Sequence, residues 1–335
     1  MIFHTALGIA VSGDFPSLSQ FAELQVDHQL SLSVSFLPAE RSEGVSLSDP
    51  AGVRESERCV CDRERDLRLH HQVQCVGMEL VRDPEGVLRP SLPPQFPFTV
   101  GETAVSGRRL VASREIRPGQ TILTDSAILV GPASPGVCVV CCSSRPPSRQ
   151  CGDCRHRLCS SCHHDQEECR ALAMCGYTKD MYNVILPIRF GLLRSRDPEM
   201  FEWLLQNMDH NQERNRDEEL RKSTQRMVTL VSGSLGLGKA LAARIIGILF
   251  TNCFEFKVSD IDARALYPLV SLINHSCVPN MRHTNLIRQL ERGELQGEHQ
   301  GEIVVMQLEA QRTILPNTEL TIRYNDYMTV SPGSG

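Results

Sequence analysis

The stretch that decides the reading is SLINHSCVPN, residues 271–280, which sets Asn274, His275, Ser276, Cys277 and Asn280 directly behind the apolar run ALYPLV. Asn and Ser in such a place serve as turn residues, because their short side chains bond to nearby backbone groups. The same residue types can ligate a metal or line a pocket for a polar ligand. His275 and Cys277 have the composition of a catalytic pair, but adjacent residues are expected to point apart and no separate base or orienting residue can be placed. The rest of the chain has to decide.

On both sides of this stretch the sequence is β-like. FEFKV (254–258), EIVVMQLEAQ (302–311) and ELTIRY (319–324) read as short strands. GRRLVASREIRPGQTILTDSAILVGP, residues 107–132, alternates β-type runs about a turn at Pro118-Gly119, as a hairpin-rich sheet does. Between these groups, apolar residues recur at three- and four-residue spacings, which predicts two helices between 198 and 232 and a third over 239–250. The expected fold is therefore mainly β with inserted helices. GSLGLGKA, residues 233–240, approaches a phosphate-cradling loop in Gly233, Gly238 and Lys239, but Ala240 stands where a hydroxyl would hold Mg²⁺. Its glycines are read as a joint between two helices.

The first hundred residues are the least legible. Ser, Pro and Gly punctuate 37–58 as a loop, and the proline-rich stretch at 90–99 reads as an extended linker. Between them Cys59, Cys61, His71 and Cys75 resemble a degenerate zinc-module remnant, with Cys59-x-Cys61 too tight for an ordinary knuckle. The apolar opening MIFHTALGIAVSG lacks a basic leader and a small-residue cleavage site, and no apolar run reaches the roughly 18 residues of a membrane span. An intracellular protein without membrane partners is expected. At 335 residues, with 41% hydrophobic and 22% charged residues and a formal net charge of -5, the chain has the size for one large domain or two smaller ones. That balance gives no electrostatic footprint for nucleic acid, so direct binding to it is not expected.

Of the fourteen cysteines, eight lie between Cys138 and Cys169. Cys138-x2-Cys141, Cys151-x2-Cys154 and Cys159-x2-Cys162, followed by His163 or His164 and by Cys169, supply eight soft ligands at knuckle spacing among polar neighbours. Eight ligands make two closed tetrahedral Zn²⁺ sites with no position open for water, hence structural rather than catalytic metal. An interleaved pairing puts Cys138, Cys141, Cys159 and Cys162 on one ion and Cys151, Cys154, His164 and Cys169 on the other; a tandem pairing is the alternative, and Cys142 is a bystander. Such modules fold on their metal and commonly dock proteins or contact nucleic acid.

Four segments, Gly107 to Ile122, Asn252 to Phe256, Arg264 to Asn280 and Ala310 to Tyr327, together with the cysteine block between the first two, resemble the SET and MYND domain protein lysine methyltransferases. The resemblance covers about 107–328 and is nearest to the arthropod branch, with its GR-x-LVA opening and RALYPLVSLINHSCVPN stretch. It implies a SET-domain β-clip fold with a knot-like C-terminal crossing, an exception to unthreaded topology, interrupted by a MYND-type zinc module, whose cross-braced form favours the interleaved pairing. It further implies a division into an undefined region 1–100, the first part of the SET domain 101–137, the zinc module 138–169, a helical linker and insertion 170–250, the second part of the SET domain 251–328, and a tail 329–335.

The resemblance implies S-adenosylmethionine as cofactor. By it Asn274 contacts the amino-acid end, the His275 backbone holds the adenine, and Asn252 with the Gly107-Arg108-Arg109 loop makes further contacts. Tyr324 is the candidate for chemistry, since methyl transfer to a neutral amine asks mainly for alignment and oriented dipoles; Tyr327 lines the same channel. Against these roles, both tyrosines also suit strand packing. The implied partner is a protein, histone or other, that offers a lysine. Three departures stand out: Arg109 replaces a common glycine, NTEL (317–320) lacks the usual glycine, and only MTVSPGSG follows Tyr327 where a post-SET segment is expected to complete the channel. A catalytically weak protein whose zinc module recruits a peptide or a transcriptional co-regulator is the alternative, although no aromatic lies between Cys138 and Cys169 to line a proline-binding groove.

Overall fold

The computed structural model describes residues 78–103, 107–133, 135–142, 147–160, 162–176, 182–258, 261–289 and 302–324. The loop read at 37–58, the Cys59, Cys61, His71 and Cys75 group, Tyr327 and the tail 329–335 lie outside the described residues.

Small antiparallel sheets surround a helical insertion. β1 (Glu79–Arg82) and β2 (Leu88–Ser91) form one hairpin, and β3 (Phe98–Thr103) and β4 (Gly107–Ala112) form another. β5 (Thr121–Ser126) is an edge strand of a three-stranded sheet completed by β13 (Glu302–Ala310) and β12 (Met281–Gln289). β6 (Leu129–Pro132), β10 (Ile261–Leu266) and β9 (Phe254–Val258) form a second. The zinc block contributes a two-residue ribbon, β7 (Arg149–Gln150) with β8 (Arg157–Leu158).

Six helices lie among the described residues: α1 (Gln166–Cys175), α2 (Ile185–Arg196), α3 (Pro198–Leu205), α4 (Asn211–Arg214), α5 (Glu218–Leu235) and α6 (Lys239–Asn252). Their starts follow from capping: Asp165, Asp197 and Asp217 each accept a backbone N–H of the first turn, and Pro198 follows its cap where a missing N–H costs nothing. Helix α2 has no amphipathic period to find, because every residue from Ile185 to Leu193 except Arg189 is buried. Trp203 on α3 donates its indole N–H to Pro268 O at 3.3 Å, which ties the insertion to the turn preceding residue 271. No single helix among the described residues is long and apolar enough to cross a membrane.

Two expectations change and a third holds. Pro118-Gly119 is a tight turn, with Gly119 at φ +78° and Gln120 N–H bonded to Arg117 O at 3.1 Å, but the strands on either side of it do not pair. β4 pairs with β3, the strand before it, and β5 with β13, distant in sequence, so the turn sets the register of neither strand. The proline-rich 90–99 is not a linker: it ends β2 and starts β3, with Leu88 and Phe98 buried in the core. The glycines of 233–240 do join two helices, with Gly236 at φ +63° closing α5, Gly238 opening α6 and a 119° bend between them.

Candidate functional site

Three chain segments distant in sequence meet at the crossing. Residues 317–320 run beside β4, with Leu320 N–H on Leu110 O and Ala112 N–H on Thr318 O, both at 2.9 Å. One step later, β14 (Thr321–Ile322) pairs in parallel with β11 (Asn274–His275), and Ser276 N–H bonds Ile322 O at 2.9 Å. Asn280, buried, works as a peptide substitute: its Oδ1 accepts Thr321 N–H at 2.9 Å and its Nδ2 donates to Glu319 O at 2.7 Å. This is the crossing expected of the SET fold, and its polar residues stitch two segments together as well as turning the chain.

The six residues read as cofactor contacts fall into two linked groups. Asn274 Nδ2 donates to Glu319 Oε1 at 2.7 Å, while Arg109 pairs with Glu319 Oε2 at 3.0 Å, so one carboxylate holds both. His275 lies beside them in β11. Arg108, one residue from Arg109, turns to the helical insertion: its guanidinium donates to Asn207 Oδ1 and stacks 4.4 Å from the Trp203 ring centre. Burial pulls Arg108 down to about 10. Asn252 donates to Ile248 O at 2.8 Å and Met208 O at 2.9 Å, and a Cβ on Gly107, at φ +64°, would meet the Met208 methyl at 2.9 Å. Residues 206–208 thus join Gly107, Arg108 and Asn252. Among the described residues the Oδ1 atoms of Asn252 and Asn274 accept nothing, which leaves two oriented acceptors suited to an ammonium or exocyclic amine such as S-adenosylmethionine carries.

Tyr324 sits against the crossing. Its hydroxyl donates to Ile273 O at 2.5 Å and its backbone N–H donates to His275 Nδ1 at 3.1 Å. Burial, with the Glu319 charge adding to it, pushes the phenol well above its ordinary range, so the hydroxyl stays protonated. Burial, and to a lesser degree Arg323, lowers His275, which agrees with Nδ1 acting as an acceptor. The expectation that His275 and Cys277 point apart is corrected: His275 Nε2 lies 3.4 Å from Cys277 Sγ, because Ser276 stands between them and residues two apart face the same side, while Ser276 Oγ accepts Val278 N–H.

Sequence reasoning missed two positioning residues. Asp125 on β5 is fully buried and accepts the N–H groups of Leu269 and Val270, both at 2.9 Å, which fixes the turn that feeds residues 271–276. A lone acid in TILTDS carries no signal of this. Glu319 was legible as part of ELTIRY but not as the group that joins Arg109 to Asn274.

The cysteine block forms two closed clusters in the interleaved pairing. Cys138, Cys141, Cys159 and Cys162 lie together, as do Cys151, Cys154, His164 and Cys169, with the donor atoms of each set within 4.8 Å of one another. Sulfur separations of 3.9 Å (Cys141 to Cys159) and 3.5 Å (Cys151 to Cys169) sit near the ~3.8 Å that a tetrahedron of 2.3 Å Zn–S bonds gives. His164 presents Nδ1 to its cluster, 3.3 Å from Cys154 Sγ, whereas His163 is exposed. The neighbouring Cys169 and His164 pull Cys154 down to about 6 while Cys154 in turn raises Cys169, and contacts with Cys141 and Cys162 lower Cys138 strongly while those with Cys138 and Cys141 raise Cys162, so one thiol in each cluster gives up its proton first. Both donor sets fit structural Zn²⁺.

Comparison with known proteins places these features. Residues 107–325 match the model of the SET domain family. "SET domain-containing protein SmydA-8, isoform A" of Drosophila melanogaster is 26% identical over 210 residues, 56% of this chain and 44% of the relative. Isoform B is 26% identical over 231 residues, 61% of this chain and 49% of the relative. The chain spans about half the length of the curated relatives it matches. Among solved structures, the SET domain of LSMT bound to lysine and AdoHcy aligns over 72% of this chain and 52% of its own, with a TM-score of 0.38 and 14% identity.

Proposed function

The chain belongs to the SET domain family, and from that premise we propose that it transfers a methyl group from S-adenosylmethionine to a lysine side chain of a protein. The observation that carries this is the convergence of Arg109, Asn274 and Glu319 with the Tyr324 hydroxyl at a crossing of three segments. We assign Gly107, Arg108, Arg109, Asn252, Asn274 and His275 to the cofactor, and Tyr324 and Tyr327 to the substrate lysine.

When bound, the cofactor would supply a methyl on a sulfonium to a lysine nitrogen whose lone pair becomes available once water has taken the ammonium proton. Tyr324 aligns the amine. Because its proton is committed to Ile273 O, its lone pairs are the part of the hydroxyl that accepts an amine N–H and points the nitrogen at the methyl. Glu319 fixes the Asn274 amide through Nδ2, which would leave Oδ1 to meet the ammonium end of the cofactor.

Within the family, the SET and MYND branch and its arthropod members are supported by the two SmydA-8 matches and the two Cys/His clusters. Docking of a peptide or co-regulator on the zinc module, and a nuclear or cytoplasmic location, go with that assignment. Titrating the zinc-loaded full-length chain with S-adenosylmethionine tests the reading: saturable binding lost in Asn274→Ala, with methyl incorporation lost in Tyr324→Phe, is expected. A folded, zinc-loaded chain that binds no cofactor overturns it.

A further inference from the structure

One buried ion pair outside the crossing touches three separate parts of the molecule. Glu168, on the first turn of α1 and next to the ligand Cys169, places Oε1 3.5 Å from His164 Nε2, on the side of the ring opposite the nitrogen that faces the metal cluster. The same oxygen accepts from Arg189 Nε at 3.1 Å and Nη2 at 2.8 Å. Arg189, the one residue of α2 between Ile185 and Leu193 that is not apolar and fully buried, then donates from Nη2 to Val139 O at 2.6 Å and from Nη1 to Val130 O. Val139 lies between the ligands Cys138 and Cys141 of the first cluster, and Val130 lies in β6 of the SET sheet.

Only a guanidinium can make this set of contacts, since its planar fork offers five donors in fixed directions, where an ammonium is a point charge. A carboxylate on the outer nitrogen of a metal-bound histidine fixes the ring and typically raises metal affinity. A buried pair of this kind is costly to break at either end. We propose that Glu168 and Arg189 couple the two zinc sites: metal at Cys151, Cys154, His164 and Cys169 fixes Glu168, Glu168 holds Arg189, and Arg189 holds the Cys138–Cys141 knuckle and seats the module on β6. Linkage then makes filling of either site favour the other. This concerns the zinc module and stands whether or not the chain transfers methyl groups.

The test uses the metal-free full-length chain loaded with Co²⁺, whose ligand-field bands distinguish a four-sulfur site from one with three sulfurs and a nitrogen. Disabling the second cluster by Cys154→Ser should weaken Co²⁺ at the first by about fivefold or more. Glu168→Gln should weaken the second cluster by about 10–100-fold, and in its presence Cys154→Ser should no longer change affinity at the first. Trp203, buried in the body, reports folding by its emission. If Glu168→Gln unfolds the chain, Arg189→Lys replaces it: the charge beside Glu168 stays while the fork to both carbonyls goes, and the coupling should vanish. A first-cluster affinity indifferent to Cys154→Ser in the unaltered chain, or equal coupling after Glu168→Gln or Arg189→Lys, overturns the proposal.

Discussion

Asn274 and Glu319, 45 positions apart, share a hydrogen bond of 2.7 Å, and the second oxygen of the same carboxylate carries Arg109. Glu319→Gln should keep one of these contacts and lose the charge that serves both. Because the Arg109–Glu319 pair is about a quarter to a third exposed, the stability cost is small, about 1 kcal/mol. The larger effect should fall on cofactor affinity, several-fold weaker by calorimetry, and an affinity equal to that of the unaltered chain would show that Glu319 does not orient Asn274.

Tyr324→Phe removes one hydroxyl from an otherwise packed ring that meets Phe254 edge-on at 6.4 Å. Turnover should fall about 10²–10³-fold, the usual cost of losing one oriented polar group at a reacting centre, with cofactor affinity unchanged. Single-turnover methyl incorporation alongside cofactor titration separates the two; a matched loss of binding and turnover would make the tyrosine a packing residue.

His275 gives a pH dependence with a definite sign. Its folded value lies below the ordinary 6.5, so on acidification the unfolded chain takes up the proton first. Stability is therefore level above 6.5 and declines as pH falls from 6.5 through the folded value, where protonation also removes the acceptor for Tyr324 N–H. Urea unfolding between about pH 7.5 and 5 should show this limb flattened by His275→Asn; identical profiles would assign the acid sensitivity elsewhere.

The two neighbouring histidines should behave differently. His164→Ala should leave one tightly held zinc per chain and His163→Ala two, measured by metal release after thiol modification. Full removal of zinc should melt the module first, since its metal affinity is its folding free energy.

Gly107→Ala forces an L side chain into φ +64° and against the Met208 methyl. A loss of about 1–2 kcal/mol is expected for the backbone alone, read as a lowered thermal midpoint; an unchanged midpoint would mean that the β3–β4 turn relaxes freely.

Much of the fold was legible because local rules agreed with it. The helices over 198–205, 218–235 and 239–252 announce themselves by apolar spacing, and the seven cysteine ligands by their intervals. Helix α2 was silent, because burial on all sides erases periodicity, and the Pro118-Gly119 turn misled, because a tight turn does not require the strands it separates to pair.

The sequence alone determined the residue types: soft thiolates at knuckle spacing, a polar turn behind an apolar run, and a strand carrying Glu319 and Tyr324. Tertiary structure decided which of them act together. Chemical type and interval are local properties of a chain, whereas the pairing of 274–275 with 321–322, the choice of His164 over His163 and the reach of Arg189 to both zinc loops arise only when distant segments are packed within hydrogen-bonding distance.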